Sequence, residues 1–213
     1  MIRVRLPGEF ADGKQIYDIA LKIINRQAPQ YAKFIHETKT FNPFSTVLPN
    51  IINVLDPALE VLFRQVPSLE IVDERDRRET VSGLDEYIKL RFQDTFFRTA
   101  QVSLPLPDPW RIIRSWKIRW NSLFGDKVSI NLPIDGPRKD SERIQIRQLR
   151  LTTSAVRIAD YRPYYAFTGF SRWKWLGNEK ELRELWMLAR FAEFAGTGAK
   201  TTMGCGVTEV VGT

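Results

Sequence analysis

The residue types best suited to proton transfer gather in one segment near the N-terminus. His36 is the only histidine among the 213 residues, and a histidine titrates close to neutral pH, so it could act as a general acid or a general base. Tyr31 lies five residues before it and Lys39 three residues after it. The tyrosine could assist proton transfer or only pack, and the lysine could stabilise negative charge or be solvated. Taken alone, a single histidine is more often a surface residue without a role.

A second segment of chemical interest, GTGAKTTMGCGV, lies near the C-terminus. Two G-x-G pairs flank its basic, hydroxyl-bearing centre, and the paired glycines are Gly196, Gly198, Gly204 and Gly206. Glycine reaches positive φ without steric cost and lets another molecule approach the main chain, so such loops often bind phosphate. The spacing fits neither the Walker loop nor the dinucleotide loop. A helix C-cap at Gly196 would explain one or two of the glycines, but not four at paired spacing.

The charge balance favours a polyanionic partner. The chain has 32 lysines and arginines against 25 aspartates and glutamates, which gives a formal net charge of +7. An excess of this sign is common in nucleic-acid-binding proteins, and it also occurs in basic proteins without such a partner. Hydrophobic residues make up 43% of the chain, which is enough for the core of one large domain or two small ones.

Cysteine and histidine usage argues against a disulfide and a metal centre. The chain has one cysteine, Cys205, and one histidine, so it offers neither a His pair nor a Cys cluster as metal ligands. The acidic residues between Asp73 and Glu79 are interrupted by arginines that would pair with them. We therefore expect no cofactor. A single buried cysteine suits a reducing compartment, and we see no apolar signal core or membrane-spanning run, so we expect a cytoplasmic protein.

Hydrophobic periodicity predicts the same order of elements, βαββαβ, in each half of the chain. In the first half we expect a strand at 2–6, a helix at 14–27, strands at 44–48 and 51–55, a helix from 57 and a strand at 69–72. In the second half we expect a strand at 87–92, a helix from 109, strands at 143–158 and 164–176, a helix from 179 and a strand at 207–211. The charged run from Asp73 to Thr80 would be a solvated loop or linker.

Two such units in tandem are the pattern of ferredoxin-like, or RRM-like, domains. The prediction is therefore an α+β protein with domains at residues 1–80 and 84–213, of which the second carries the glycine-rich loop. Sheets of this kind commonly bind single-stranded RNA. The duplication lies in the order of elements, because no repeat is visible at the level of individual residues.

Four segments together resemble one family, the CRISPR repeat-processing Cas endoribonucleases of the repeat-associated mysterious protein superfamily. GTGAKTTMGCGV resembles the glycine-rich loop of that family. YAKFIHETKTFNPFS is similar to its N-terminal segment, in which a helix ends in Leu-His-Glu and leads to a Lys-Pro-Phe strand. LPDPWRIIRSWKIRWN and YYAFTGFSRWKW resemble its second-domain helix and hairpin. The resemblance runs in order from about Arg3 to Val211.

This resemblance implies an endoribonuclease that binds CRISPR repeat RNA and cuts precursor crRNA without a metal ion. The 2′-hydroxyl would attack the adjacent phosphate, leaving a 2′,3′-cyclic phosphate and a 5′-hydroxyl. His36 would be the acid or base, Tyr31 would assist it or pack, and Lys39 would stabilise the phosphorane. Where many members have lysine before Pro-Phe, this chain has Asn42. Lys39 could supply the missing cation.

RNA contacts are expected from the loop and from the second-domain hairpin. The predicted RNA-binding residues are Gly196, Gly198, Lys200, Thr201, Thr202, Gly204, Gly206, Arg147, Arg172 and Lys174. Arg172 and Lys174 alternate with Trp173 and Trp175, so one pair faces the core, and we expect the cations to face RNA. The arginines of the second-domain helix are expected on its solvated face, and these are Arg111, Arg114 and Arg119.

Two other functions fit parts of the sequence. A non-catalytic RNA-binding subunit of a CRISPR effector complex would keep the glycine-rich loop, but the His36 segment argues for catalysis. A generic RRM-type binder would carry an aromatic K/R-G-F/Y-G/A-F-V-x-F/Y strand, of which FTGFSRW is only a loose echo. The expected partners are CRISPR repeat RNA and a CRISPR effector complex, with the chain as a monomer or homodimer and no membrane contact.

Overall fold

The computed structural model describes residues 1–38, 42–75, 84–99, 102–134, 143–158 and 162–212, and of His36 the backbone alone. Within these segments the chain forms two four-stranded sheets, a two-stranded sheet and five α-helices. No helix of these segments is long and apolar enough to cross a membrane.

The N-terminal unit has four strands and three helices. They are β1 (Ile2–Arg5), α1 (Gly13–Gln27), α2 (Pro29–Glu37), β2 (Phe44–Val47), β3 (Ile51–Val54), α3 (Pro57–Arg64) and β4 (Glu70–Glu74). The strands form an antiparallel sheet in the order β2-β3-β1-β4, which confirms the predicted ferredoxin-like unit. The sequence pattern ends a helix at Pro29 and does not show that α2 begins there. Proline suits that position because the first turn of a helix does not need its missing N–H.

The C-terminal unit repeats this order and adds a hairpin. Its elements are β5 (Tyr87–Thr95), β6 (Phe97–Thr99), β7 (Val102–Leu104), α4 (Pro109–Phe124), β8 (Ile144–Val156), β9 (Tyr164–Trp175), α5 (Glu179–Ala195), a 3-10 helix (Thr201–Met203) and β10 (Val207–Val211). The antiparallel sheet has the order β10-β5-β9-β8, the same ferredoxin-like order as in the first unit. The short hairpin of β6 and β7 was not predicted from the sequence.

Each sheet packs its helices on one face and turns polar side chains to the other. In the N-terminal unit, Ile2 and Val4 of β1 are fully buried in a core that includes Ile16 of α1. In the C-terminal unit, Trp173 of β9 packs against Trp116 of α4, with ring centroids 6.3 Å apart. The polar faces are the ones left for contacts between units or with a partner.

The C-terminal end of α5 rests on the polar face of the N-terminal sheet. Arg3 Nη2 donates to the Glu193 carbonyl at 3.0 Å, and Asn53 Nδ2 donates to the Phe194 carbonyl at 3.0 Å. The Ser45 hydroxyl donates to the same Phe194 carbonyl. The last four carbonyls of a helix lack partners within it, so these side chains act as caps. The N-terminal unit therefore fixes the point at which the chain leaves α5.

The charged run from Asp73 is a strand where it begins, which corrects the prediction of a loop. Asp73 and Glu74 belong to β4 and pair with β1, and the Arg75 N–H still reaches the Met1 carbonyl at 3.0 Å. Pairing continues because β1 begins at Ile2, so the Met1 carbonyl before it can still accept from Arg75. Arg75 also forms an ion pair with Glu193. Residues 76–83 lie outside the described segments.

Arg119 corrects a second prediction, because it is buried and not solvated. It is 8% exposed, whereas Arg114 of the same helix is exposed. Arg119 follows Trp116 by three residues and precedes Trp120 by one, so helical geometry turns it toward the core that both tryptophans fill.

Candidate functional site

α2 carries the histidine segment and is anchored along one face. Ile35 is buried in the N-terminal core, and Tyr31 packs against the same core. His36 and Glu37 are the last two residues of the helix, so the motif lies at a helix end as expected. Lys39 lies outside the described residues. The structure therefore places the backbone of residues 29–38, and the roles of His36 and Lys39 stay predictions.

Tyr31 links α2 to α3. Its hydroxyl donates to Asp56 Oδ2 at 2.5 Å, while Asp56 Oδ1 accepts from the Ala58 N–H at 2.7 Å and so caps α3. Burial raises the pKa of the Tyr31 phenol above its ordinary value, and the hydrogen bond to Asp56 raises it further. The phenol therefore keeps its proton and holds two helices together. This geometry favours packing over direct assistance to His36.

The residue after Asn42 is bonded to the same aspartate. This residue is Pro43, whose carbonyl accepts from the Leu55 N–H at 2.9 Å and from the Asp56 N–H at 3.1 Å. The position where related proteins are expected to carry a lysine is thus held close to the residue that binds Tyr31. Pro43, just before β2, and Tyr31, near the start of α2, therefore both bind Asp56, although they are distant in sequence.

The glycine-rich loop joins α5 to β10, and its glycines are required by the protein's own backbone. All four have φ between +70° and +83°. A Cβ at Gly198 would lie 2.3 Å from the Phe96 carbonyl oxygen, and a Cβ at Gly206 would lie 2.0 Å from the Thr197 carbonyl oxygen. Gly196 is the C-cap of α5, as predicted. Positive φ therefore accounts for all four glycines, and close backbone contacts add to the requirement at Gly198 and Gly206.

The loop also lies directly on the N-terminal unit. A Cβ at Gly13, the first residue of α1, would lie 2.1 Å from the Met203 carbonyl oxygen. A Cβ at Gly204 would lie 3.4 Å from the Gly13 Cα and 3.9 Å from Thr46 Oγ1 of β2. The centre of the loop is thereby fixed against the unit that carries α2 and His36.

The side chains at the centre of the loop differ in their exposure to solvent. Thr201 is 2% exposed, and its hydroxyl accepts from Arg119 Nη2 at 2.9 Å. Lys200 and Thr202 are partly exposed. Burial lowers the pKa of Lys200 below its ordinary value, and the charge of nearby Arg98 on β6 lowers it further. Two cations held this close together raise the positive potential at the loop, which favours an anion there.

Cys205 lies inside the loop but is a packing residue. It is 3% exposed, and burial raises the pKa of its thiol to about 12. The thiol is therefore protonated at neutral pH. Among the described residues, no group of three or more histidine, cysteine, aspartate or glutamate side chains could hold a metal ion.

The polar face of the C-terminal sheet carries the cations predicted for RNA. Trp173 and Trp175 are buried, so Arg172 and Lys174 lie on the opposite face as expected. The Arg172 guanidinium lies 4.3 Å from the centroid of the Tyr87 ring, and Lys174 pairs with Glu86 at 3.1 Å. Both cations remain partly exposed. The face therefore combines charge with an aromatic ring, a combination common in RNA-binding sheets.

Arg147 lies at an irregular point of the outer strand. The register between β8 and β9 shifts between Ile146 and Gln148, which leaves Arg147 as the extra residue of a bulge. Bulges bend a strand and turn a side chain in a new direction. Arg147 is exposed on β8, which lies at the edge of its sheet.

The family model for the CRISPR-associated endoribonuclease Cas6 matches residues 90–208. The matched segment is more than half of the chain and includes the hairpin of β8 and β9, the helix α5 and the whole glycine-rich loop. This chain belongs to the Cas6 family. As a Cas6 protein it is an endoribonuclease of CRISPR precursor RNA processing. Membership favours catalysis over the non-catalytic subunit and the generic RNA binder.

Solved Cas6 structures share this fold over nearly the whole chain. The product complex of one Cas6 protein has a TM-score of 0.74 at 20% identity and covers 99% of this chain and 98% of its own. The product complex of a second Cas6 protein has a TM-score of 0.73 at 19% identity with the same coverage. A further structure of this second protein, from Thermus thermophilus, has a TM-score of 0.68 at 20% identity and covers 99% and 96%. No curated protein sequence matches the chain.

Two arginines beside the loop of this Cas6 chain were missed by sequence reasoning. Arg98 lies on β6, and strands of three residues give no detectable periodicity. Arg119 was assigned to the solvated face of its helix, although its spacing from Trp116 follows the apolar stripe. That spacing is the signal that could have revealed its burial.

Proposed function

We propose that this Cas6 protein binds CRISPR repeat RNA across the glycine-rich loop and cuts precursor crRNA by attack of a 2′-hydroxyl on the adjacent phosphate. The observation that carries the proposal is the close contact of the loop with the first residue of α1, which joins a phosphate-binding segment to the unit that bears His36. The products would be a 2′,3′-cyclic phosphate and a 5′-hydroxyl. No metal ion would be required.

RNA would contact the loop and the open face of the C-terminal sheet. Lys200, Thr202 and the backbone around the glycines would bind phosphates at the loop, with Arg98 adding charge. We assign Thr201 to the interior of the loop, because its hydroxyl is buried against Arg119. The strand cations Arg147, Arg172 and Lys174 would follow the RNA backbone along the hairpin. Affinity would therefore fall as salt concentration rises.

His36 would perform one of the two proton transfers that RNA self-cleavage requires. A base removes the proton of the 2′-hydroxyl, and an acid protonates the departing 5′-oxygen. The position of His36 at the end of α2 supports this role, since the loop is packed on the same unit. One solved Cas6 relative is a histidine-to-alanine mutant, and the same protein has been solved as a substrate mimic complex.

Lys39 would stabilise the charge of the phosphorane in place of the lysine that Asn42 replaces. Tyr31 would act as a positioning residue, because its hydroxyl is bound to Asp56 and holds α2 against α3. Lys39 and His36 would thus carry the chemistry, and the hydrogen bond between Tyr31 and Asp56 would keep α2, which bears His36, in place.

The proposal extends to the organisation of the protein. Residues 1–80 and 84–213 would form the two domains, and the strand orders of the two sheets support this division. The protein would act in the cytoplasm as a monomer or homodimer and would pass its product to a CRISPR effector complex.

The test is cleavage of the host's repeat RNA in excess EDTA, followed by analysis of the product ends. We expect one discrete cut, a 5′-hydroxyl on the downstream fragment and a cyclic phosphate on the upstream one. An RNA with a 2′-deoxy nucleotide at the mapped cut should bind with unchanged affinity and stay intact, because the attacking hydroxyl is missing. Activity restored only by divalent ions, or cleavage of the deoxy substrate, would contradict the mechanism.

A further inference from the structure

Arg119 is a buried cation that the proposed RNA surface does not use. Its Nη1 donates to the Ala195 carbonyl at 2.5 Å, and its Nη2 donates to the Thr201 hydroxyl at 2.9 Å. Its Nε is buried and has no hydrogen-bond partner among the described residues. Burial alone lowers the pKa of Arg119, to about 10, without the influence of a neighbouring carboxylate. The guanidinium is therefore charged at neutral pH and is held by two neutral acceptors.

The two acceptors stand at the ends of one arch of the loop. Ala195 is the last residue of α5, and Thr201 begins the 3-10 helix. Between them lies the arch, residues 196–200, which contains the first G-x-G pair and Lys200. The Thr201 side chain packs against the start of the arch, because a Cβ at Gly196 would lie 3.0 Å from Thr201 Cγ2. One guanidinium thus joins the beginning of the arch to its end.

A second contact from α4 reaches the arch itself. Trp116 Nε1 donates to the Thr197 hydroxyl oxygen at 2.9 Å, and that oxygen lies 2.6 Å from the Thr208 hydroxyl of β10. Trp116 and Arg119 are three residues apart on the helix and point at the same segment. α4 therefore holds the arch at two places with polar groups in an otherwise apolar core.

Stability alone does not call for an arginine at this position. Apolar side chains of similar volume often replace buried charges without loss of stability, because a buried charge loses its hydration. The C-terminal end of α5 offsets part of that cost, since helix C-termini carry partial negative charge. An apolar side chain could fill the same space, but it could not donate to Ala195 and Thr201 at once.

We infer that Arg119 is a positioning residue, which holds the arch of residues 196–200 in the shape that presents Lys200 and the loop N–H groups to an RNA phosphate. The inference rests on the proposed RNA-binding role of the loop. Arg119 acts through Ala195 and Thr201 and does not touch RNA, because the core encloses its side chain.

The test compares repeat-RNA affinity for Arg119→Met, Arg119→Lys and the exposed control Arg114→Met at several salt concentrations. Loss of charge-assisted hydrogen bonds should weaken binding by Arg119→Met about 10- to 100-fold. Arg119→Lys retains a donor and should lose less, while Arg114→Met should bind as the wild type does. The slope of log affinity against log salt should shrink by about 1 in Lys200→Ala and by no more than that in Arg119→Met, because Arg119 affects phosphate contacts only through Lys200. At saturating enzyme, Arg119→Met should cut near the wild-type rate.

A double variant tests whether Arg119 acts through Thr201. Thr201→Val removes the acceptor and keeps the charge, so Arg119→Met combined with Thr201→Val should bind about as weakly as Arg119→Met alone. Wild-type affinity of a folded Arg119→Met, or a larger loss of salt slope in Arg119→Met than in Lys200→Ala, would overturn the inference. If Arg119→Met does not fold, wild-type affinity of Thr201→Val would overturn it. Wild-type affinity of Lys200→Ala would count against the proposed role of the loop itself.

Discussion

The two ferredoxin-like units share one strand order but use the polar faces of their sheets differently. In the N-terminal sheet, Ser45 and Asn53 are almost completely buried, because both donate to the Phe194 carbonyl at the end of α5. In the C-terminal sheet, Arg172 and Lys174 remain partly exposed beside the Tyr87 ring. One face joins the two units, and the other is left for a partner.

This difference shows how one topology can divide two tasks. The N-terminal unit uses its sheet to position the end of α5, and through it the glycine-rich loop, while its helix α2 supplies His36. The C-terminal unit keeps a basic sheet face and adds the loop. Under the proposed function, the chemistry belongs to the first unit and most of the RNA binding to the second. Variants in the two units should change different measured quantities.

The largest effect is expected in the N-terminal unit, at His36. His36→Ala should lower the single-turnover cleavage rate about 10²–10⁴-fold, the usual contribution of one positioned proton-transfer group. RNA affinity should be unchanged, because the proposed binding surface belongs to the other unit. Single-turnover conditions separate the chemical step from product release.

The matched control for this variant is Glu37→Gln. Glu37 is the next residue of α2, is exposed and pairs loosely with Lys33 at 3.8 Å, so its replacement should leave the rate within about two-fold, since exposed ion pairs contribute little. A His36→Ala protein that cuts nearly as fast as the wild type would contradict the assignment of chemistry to α2.

The next effect is expected in the C-terminal unit, at Gly198. Gly198→Ala should reduce the free energy of unfolding by about 1–2 kcal/mol for its positive φ and by roughly 1–3 kcal/mol more for the clash with the Phe96 carbonyl. Gly8→Ala is the control, because Gly8 has φ +93° but no atom within 4 Å of the added Cβ. Urea unfolding measures the loss of stability in each variant, and RNA titration measures its affinity. Equal losses in the two variants, with RNA affinity retained, would mean that the contact with Phe96 does not matter.

A smaller effect is expected from the cations around the reacting phosphate. Lys39→Ala should lower the cleavage rate about 10-fold, less than the loss typical of a sole charge stabiliser, because Lys200 and Arg98 can replace part of its charge. Asn42→Lys should leave the rate equal or raise it, since it restores a cation before Pro43. Single-turnover kinetics of the two variants test this order. A larger loss in Lys39→Ala than in His36→Ala would reverse the proposed roles.

The smallest effect is expected at Cys205. Burial raises the pKa of its thiol to about 12, so the thiol should stay protonated and unreactive at pH 8. Cys205→Ala should cut RNA at the wild-type rate, and iodoacetamide should not inactivate the native protein. Inactivation of the wild type, but not of Cys205→Ala, would show that the loop opens and exposes the thiol.

Much of the fold could be predicted because its strands and helices carry strong periodic patterns. The alternation of Trp173 and Trp175 with Arg172 and Lys174 assigns the two faces of β9 from sequence alone, and the structure confirms it. The hairpin of β6 and β7 could not be found this way, because three residues are too few to show a period. α2 was obscured because Pro29 is compatible with both the end of one helix and the start of the next.

The site was harder to predict because the residues that shape it are distant from one another in sequence. The spacing of the glycines revealed the loop, but the Phe96 carbonyl, which explains Gly198, lies between β5 and β6, about a hundred residues earlier in the chain. Arg119 bonds to Ala195 and Thr201, which are 76 and 82 residues away. No local pattern specifies such partners, so an arginine was assigned to solvent by default.

The division of tasks between the two units is tested most directly by a double-mutant cycle of His36→Ala and Lys200→Ala. RNA affinity and the single-turnover rate at saturating enzyme would be measured for the wild type, both single variants and the double variant. The account predicts that the double variant binds RNA as weakly as Lys200→Ala and cuts as slowly as His36→Ala. A His36→Ala protein that loses affinity as Lys200→Ala does, or a saturated Lys200→Ala protein that cuts as slowly as His36→Ala, would contradict it.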